Sequence, residues 1–123
     1  MASTVNRGPR QIWNALIWSL KGLHCGWRLE ASFRLEVGLF VILFPLGLWL
    51  GNDGMQRAIL CGSLFLVLSA ELLNSALEAV VDRICPEIDE FAARAKDMGS
   101  AAVFVLMLNV VLCWCLILLP RLD

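Results

Sequence analysis

Glu71, Asn74, Glu78 and Asp82 follow one another at spacings of three, four and four residues. On an α-helix this spacing puts them in one narrow stripe, with Ser75 at its edge. Three carboxylates on one stripe repel one another, and each charge near hydrocarbon costs roughly 2.5–3.5 kcal/mol on insertion scales, so the stripe must face protein, water or a cation. Mg2+ suits such a stripe, because it takes one or two carboxylates and completes its shell with water and substrate phosphates. Two further charged segments on the same side of the membrane would complete the site: Glu30-Ala-Ser-Phe-Arg34-Leu-Glu36 and Arg94-Ala-Lys96-Asp97-Met-Gly-Ser100. Lys96 beside Asp97 at a helix start is suited to hold an anion and steer it to a metal. A plainer reading stands beside this one, in which the charges mark juxtamembrane helix ends and only fix topology. The chain has no G-x-x-x-x-G-K-[ST] loop and no H-R-D or D-F-G element, so any nucleotide must be held by metal, Lys/Arg and helix ends.

The elements that position these groups are membrane helices. Of the 123 residues, 59% are hydrophobic and 17% charged, and the mean hydropathy is +0.75. Soluble domains average roughly 45–50% apolar and 25% charged, so a soluble monomer is excluded. Ten basic residues against eleven acidic ones leave a net charge of −1, which excludes a nucleic-acid binder held by bulk positive charge. Apolar runs at 37–50, 58–81 and 99–120 approach the roughly 20 residues that a hydrocarbon core about 30 Å thick requires, and read as three transmembrane helices. The first run has only 14 residues, so its helix starts among the charged residues before it or the bilayer thins there. Pro45 inside it removes one backbone hydrogen bond and is a kink candidate.

Residues 1–36 carry Arg7, Arg10, Lys21, Arg28 and Arg34 around an apolar stripe of Ile12, Trp13, Leu16, Ile17, Leu20, Leu23 and Trp27. That pattern predicts an amphipathic helix lying in the membrane interface. No cleavable leader is expected, since the first long apolar run begins only at 37 and no small-residue cleavage site follows it. Eight basic residues (these five with Arg83, Arg94 and Lys96) fall on one side of the three spans and two (Arg57, Arg121) on the other. The imbalance places the N-terminus and the 82–98 segment in the cytoplasm. The cysteines at 25, 61, 85, 113 and 115 include no C-x-x-C pair and are odd in number, which reads as small apolar side chains rather than a zinc or disulfide framework. His24 has no partner in sequence and is read as an interfacial residue. Gly22/Gly26 and Gly47/Gly51 match small-xxx-small spacing, a helix-packing signal. The whole is one domain, 1–123.

The stretch Glu71-Leu-Leu-Asn-Ser-Ala-Leu-Glu-Ala-Val-Val-Asp82 satisfies the pattern E-x-[LIVM]-N-[ST]-[SA]-[LIV]-E-x-x-V-D. With Ala-Lys96-Asp97-Met-Gly-Ser-Ala-Ala, Trp18-Ser-Leu-Lys-Gly-Leu23 and the Glu30–Glu36 segment, it resembles the bacterial integral-membrane diacylglycerol kinases over nearly the whole chain. The Glu30 segment and the length favour the Gram-negative branch over the undecaprenol kinases.

The resemblance implies an all-α homotrimer in the bacterial inner membrane, each subunit a surface helix plus three spans, with active sites shared between neighbours. It implies transfer of the γ-phosphate of MgATP to diacylglycerol, giving phosphatidic acid in phospholipid recycling. Carried over position by position, Glu71 is the catalytic base, and Glu30 and Glu78 are the metal-ligand pair. The nucleotide site takes Arg10, Gln11, Trp18, Glu30, Asn74, Glu78, Asp82, Glu87, Ile88, Asp89, Lys96 and Asp97. Lipid contacts fall on Ser32, Phe33, Arg34, Glu36, Arg57, Glu71 and Ser100. Three departures stand out: Gln11 where relatives usually have Arg, Trp18 for a Tyr, and Pro86 just before the nucleotide-contacting loop.

Elementary chemistry agrees with these roles. A lipid hydroxyl must lose its proton during phosphoryl transfer, and a partly desolvated glutamate is suited to accept it. Mg2+ between Glu30, Glu78 and the phosphates would neutralise charge at the transferring group. Three spans enclose little by themselves, which gives a reason to oligomerise. A small cation or drug exporter is the competing class, but it needs a carboxylate near the bilayer midplane and usually a fourth span. A scaffold would not need three coplanar carboxylates.

Overall fold

The computed structural model describes residues 8–87 and 89–122. Residues 1–7 of the expected surface segment and Ile88 of the expected nucleotide loop lie outside them. Four helices follow in order: α1 Pro9–Leu29, α2 Ala31–Leu50, α3 Gly54–Ile84 and α4 Glu90–Leu118, closed by a 3-10 turn at Leu119–Arg121. No strand occurs among the described residues. Three helices are long and apolar enough to cross a membrane, at Ala31–Leu50, Gly54–Ile84 and Glu90–Arg121.

The short apolar run is resolved by an early start: α2 has 20 residues, and at about 1.5 Å per residue it rises about 30 Å, the thickness of a hydrocarbon core. Its first turn is therefore built from the charged segment, and the surface helix expected over 1–36 ends at Leu29 instead. No proline or glycine marks the break. Glu30 alone is extended (φ −110°, ψ 110°), and Arg34 Nη1 donates to the carbonyls of Trp27 (2.9 Å) and Arg28 (3.2 Å), which have no partners within α1. A side chain at Gly26 would put Cβ 2.9 Å from Leu72 Cδ2 and 3.2 Å from Phe33 Cδ1. The glycine thus lets the end of α1 lie against both α2 and α3.

Helix α3 is central, packing on α2 along one side and on α4 along the other. Asp53 caps it by accepting from the Gln56 amide at 2.8 Å, and Asp89 caps α4 by accepting from the Ala92 amide at 2.7 Å. The core is small: Phe33, Leu60, Cys61, Leu64, Val67, Ala92 and Val103 are buried, and Leu60 is wholly enclosed. At Gly47 the helices approach closely, since a Cβ there would lie 3.2 Å from Cys61 Sγ and 3.3 Å from Leu60 Cβ. Trp114 Nε1 donates to the Leu60 carbonyl at 3.2 Å, tying α4 to α3 at the same level. Beside these, Gly22 faces open space, so only part of the small-xxx-small pattern serves packing within the chain. All five cysteines are free thiols.

The hairpin at 51–53 is latched from two directions. Arg57 Nε donates to the Leu48 carbonyl at 3.0 Å, while Arg121 donates to the Leu50 carbonyl at 2.5 Å and to Gln56 Oε1. Outward-facing Leu35, Ile42, Trp49, Val111 and Leu116 are exposed, as side chains that face lipid or another subunit must be.

Candidate active site

At the opposite end from that hairpin, α2, α3 and α4 surround a cavity of about 390 Å³. Its lining draws Glu30, Ser32 and Glu36 from the start of α2, Glu71, Asn74 and Glu78 from α3, and Ser100, Val103, Phe104 and Met107 from α4. Helical spacing explains the α3 contribution, because residues three and four apart stack on one face. Glu36 and Glu71 are both 7% exposed. The Glu71 carboxyl lies against that of Glu36 and close to Glu30 and Glu78. Asn74 Nδ2 donates to Glu78 Oε1 at 3.3 Å. An apolar cavity of about 140 Å³, lined by Leu39, Phe40, Leu43, Leu64, Val67 and Val110 among others, adjoins it through the shared walls Glu36 and Met107.

Glu36 Oε2 and Asn74 Oδ1 are buried with no hydrogen-bond partner among the described residues. Buried polar atoms are nearly always partnered, so two orphaned acceptors among carboxylates call for donors or a cation. The described residues contain no cluster of three or more His, Cys, Asp or Glu arranged to hold a metal by themselves. What they offer is Glu30 and Glu78 lining the same cavity, carboxylate oxygen atoms that fit Mg2+ sharing its shell with phosphates.

The residues expected from the sequence separate into groups. Glu30, Ser32, Glu36, Glu71, Asn74, Glu78 and Ser100 converge on the cavity. One turn beyond Glu78, Asp82 pairs with Lys96 at 2.5 Å, and Asp97 is exposed next to it. This exposed pair adds little to stability and joins α3 to α4 beside the carboxylates. Phe33 is 3% exposed and packs on Gly26, and Arg34 is engaged with the end of α1. Neither reaches the cavity. Arg57 sits at the far hairpin, about 21 Å along α3 from Glu71 at the helical rise per residue. Arg10, Gln11 and Trp18 are exposed on the first half of α1, and Asp89 is occupied as the cap of α4, with Glu87 exposed just before it. Spacing did not reveal the α4 wall of Val103, Phe104 and Met107, nor Gly99, whose missing side chain accommodates Asn74. Apolar residues in a span carry no mark of facing a cavity rather than lipid.

Comparisons with known proteins give the family. The sequence model described as prokaryotic diacylglycerol kinase matches residues 17–118. The diacylglycerol kinase of Escherichia coli strain K12 is 44% identical over 111 residues, covering 90% of this chain and 91% of its own length. That of Pseudomonas aeruginosa is 43% identical over 112 residues, 91% of each chain, and that of Haemophilus influenzae 42% over 107 residues, 87% of this chain and 91% of its own. With the family model spanning residues 17–118 and relatives 42–44% identical over most of this chain, the chain belongs to the prokaryotic diacylglycerol kinase family.

Proposed function

We propose that the cavity between α2, α3 and α4 transfers the γ-phosphate of MgATP to the free hydroxyl of diacylglycerol, giving phosphatidic acid for phospholipid recycling. As a member of its family the chain is an ATP-dependent lipid kinase in a membrane. The observation that carries the reading is the junction of an acidic cavity with an apolar one: phosphate chemistry needs the first, and an acyl chain entering from lipid suits the second.

Glu71 accepts the hydroxyl proton as the oxygen bonds to the γ-phosphorus and ADP departs. Glu36, against Glu71, orients that carboxyl and the incoming hydroxyl. Ser32 and Ser100 supply hydroxyls to the headgroup. Glu30 and Glu78 hold Mg2+, which when bound neutralises the transferring phosphoryl group. Asn74 fixes Glu78 through its amide, and Lys96, steadied by Asp82, attracts the phosphates. Glu87 and Asp97 contact the nucleotide from the periphery, and three copies assemble into a trimer in which Arg10, Gln11 and Trp18 reach the nucleotide from a neighbouring subunit's surface helix.

Purified protein in mixed micelles, given radiolabelled ATP and either diacylglycerol, undecaprenol or no lipid, tests the acceptor. Label is expected in phosphatidic acid. Label passing mainly to undecaprenol would reassign the lipid.

Orientation is read from the basic-residue count, with α1 and the 85–89 loop cytoplasmic. In a cysteine-free background, Asn52→Cys is expected to react with a membrane-impermeant maleimide added outside spheroplasts, and Glu90→Cys only after lysis. Both residues are exposed. The reverse pattern would invert the topology.

A further inference from the structure

Gly99 lies on α4 where that helix crosses the acidic stripe of α3. A Cβ built there would run into Asn74 Oδ1, and would stand 3.3 Å from Asn74 Cγ and 3.0 Å from Leu77 Cδ2. The leucine contact involves the free end of a flexible side chain that can rotate away. Asn74 has no such freedom, because its Nδ2 is bonded to Glu78 Oε1 at 3.3 Å and its Oδ1 is buried. No glycine in the described chain has a positive φ, so the backbone at 99 does not require glycine. Glycine is also less favourable than alanine inside a helix. What remains is space.

We propose that Gly99 is a positioning residue: the room it leaves between α3 and α4 seats the Asn74 amide, and that amide holds the Glu78 carboxylate toward the cavity. Any side chain at 99 displaces Asn74 and releases Glu78, although Gly99 does not itself line the cavity. The consequence is a loss in metal–nucleotide affinity transmitted through one hydrogen bond, in the way partners of metal ligands usually act. This rests on Glu78 being a metal ligand.

The test is a double-mutant cycle on the full chain in detergent, with Mn2+ and a non-hydrolysable ATP analogue titrated by electron paramagnetic resonance. Gly99→Ala and Asn74→Ala are each expected to weaken binding about 10–100-fold, the range for losing such a partner. The double variant should bind no more weakly than either single one, since removing the Asn74 amide removes the clash. In the ligand-free protein, the Asn74 side-chain amide resonance should shift in Gly99→Ala. Unchanged binding in Gly99→Ala, or losses that multiply in the double variant, would overturn the role of Gly99 alone. If Gly99→Ala fails to fold, the double variant decides: recovery of folding upholds the clash with Asn74, and continued failure refutes it. Wild-type protein that binds no Mn2+–nucleotide would overturn the metal reading and this inference together.

Discussion

Turnover of Glu71→Gln is expected to fall by about 10²–10⁴-fold, the usual range for removing a general base. The substitution keeps the size of the side chain and its hydrogen-bonding capacity while taking away the proton acceptor. Glu71 is 7% exposed, and the amide fills the same space with no charge to bury. Folding should therefore be unharmed, with a melting temperature at or above that of the wild type. Nucleotide binding should survive as well, since Glu30 and Glu78 are untouched. Measuring kcat, nucleotide affinity and thermal stability on the same preparation separates the outcomes. Near-normal kcat would remove Glu71 as the base, and Glu36, the other buried carboxyl of the cavity, would be the next to substitute.

On the proposed metal reading, Glu30→Gln and Glu78→Gln are expected to raise the Mg2+ concentration needed for half-maximal activity by about 10-fold or more, because each would replace a charged oxygen ligand with a neutral one. Activity measured over a Mg2+ series distinguishes this from a general loss, which would lower the plateau without moving the midpoint. Unchanged Mg2+ dependence in both variants would make these glutamates markers of topology rather than ligands. A mixing experiment separates a site held within one chain from one shared between neighbours. A site divided between neighbours would let subunits carrying Glu71→Gln complement subunits carrying Glu30→Gln. Glu30, Glu71 and Glu78 line one cavity of a single chain, so mixed oligomers of these two variants are expected to stay inactive beyond the residual activity of each. Recovery of activity would show that the working site takes Glu30 and Glu71 from different subunits.

What could be read from the sequence was whatever one helix determines by itself. Glu71, Asn74, Glu78 and Asp82 share a face because a helix turns about 100° per residue, whatever it packs against. Hydropathy marks the spans because the bilayer acts on composition, residue by residue. Hence the all-helical class, the three spans and the α3 share of the site needed no coordinates.

Contacts between helices were the part the sequence could not express. The extended residue at Glu30 carries no glycine or proline signal; it arises because Arg34 turns back to the end of α1 and Gly26 packs on Phe33 and Leu72, contacts that exist only after α1 folds against α2 and α3. The same turn takes Phe33 and Arg34 away from the cavity while leaving Ser32 and Glu36 on its wall, a division that a list of neighbouring residues cannot make. Arg57 and Glu71 share α3, yet about 21 Å of helix separates them. Whether Val103, Phe104 and Met107 face lipid or the site depends on the rotation of α4 about its axis, and its near-uniform apolar surface encodes no preference. That rotation is set by close approach at a few points, Gly99 on Asn74 and Trp114 on the Leu60 carbonyl. Periodicity is a property of one helix, whereas a cavity among three helices belongs to their packing, and so only the tertiary structure decided which residues meet there.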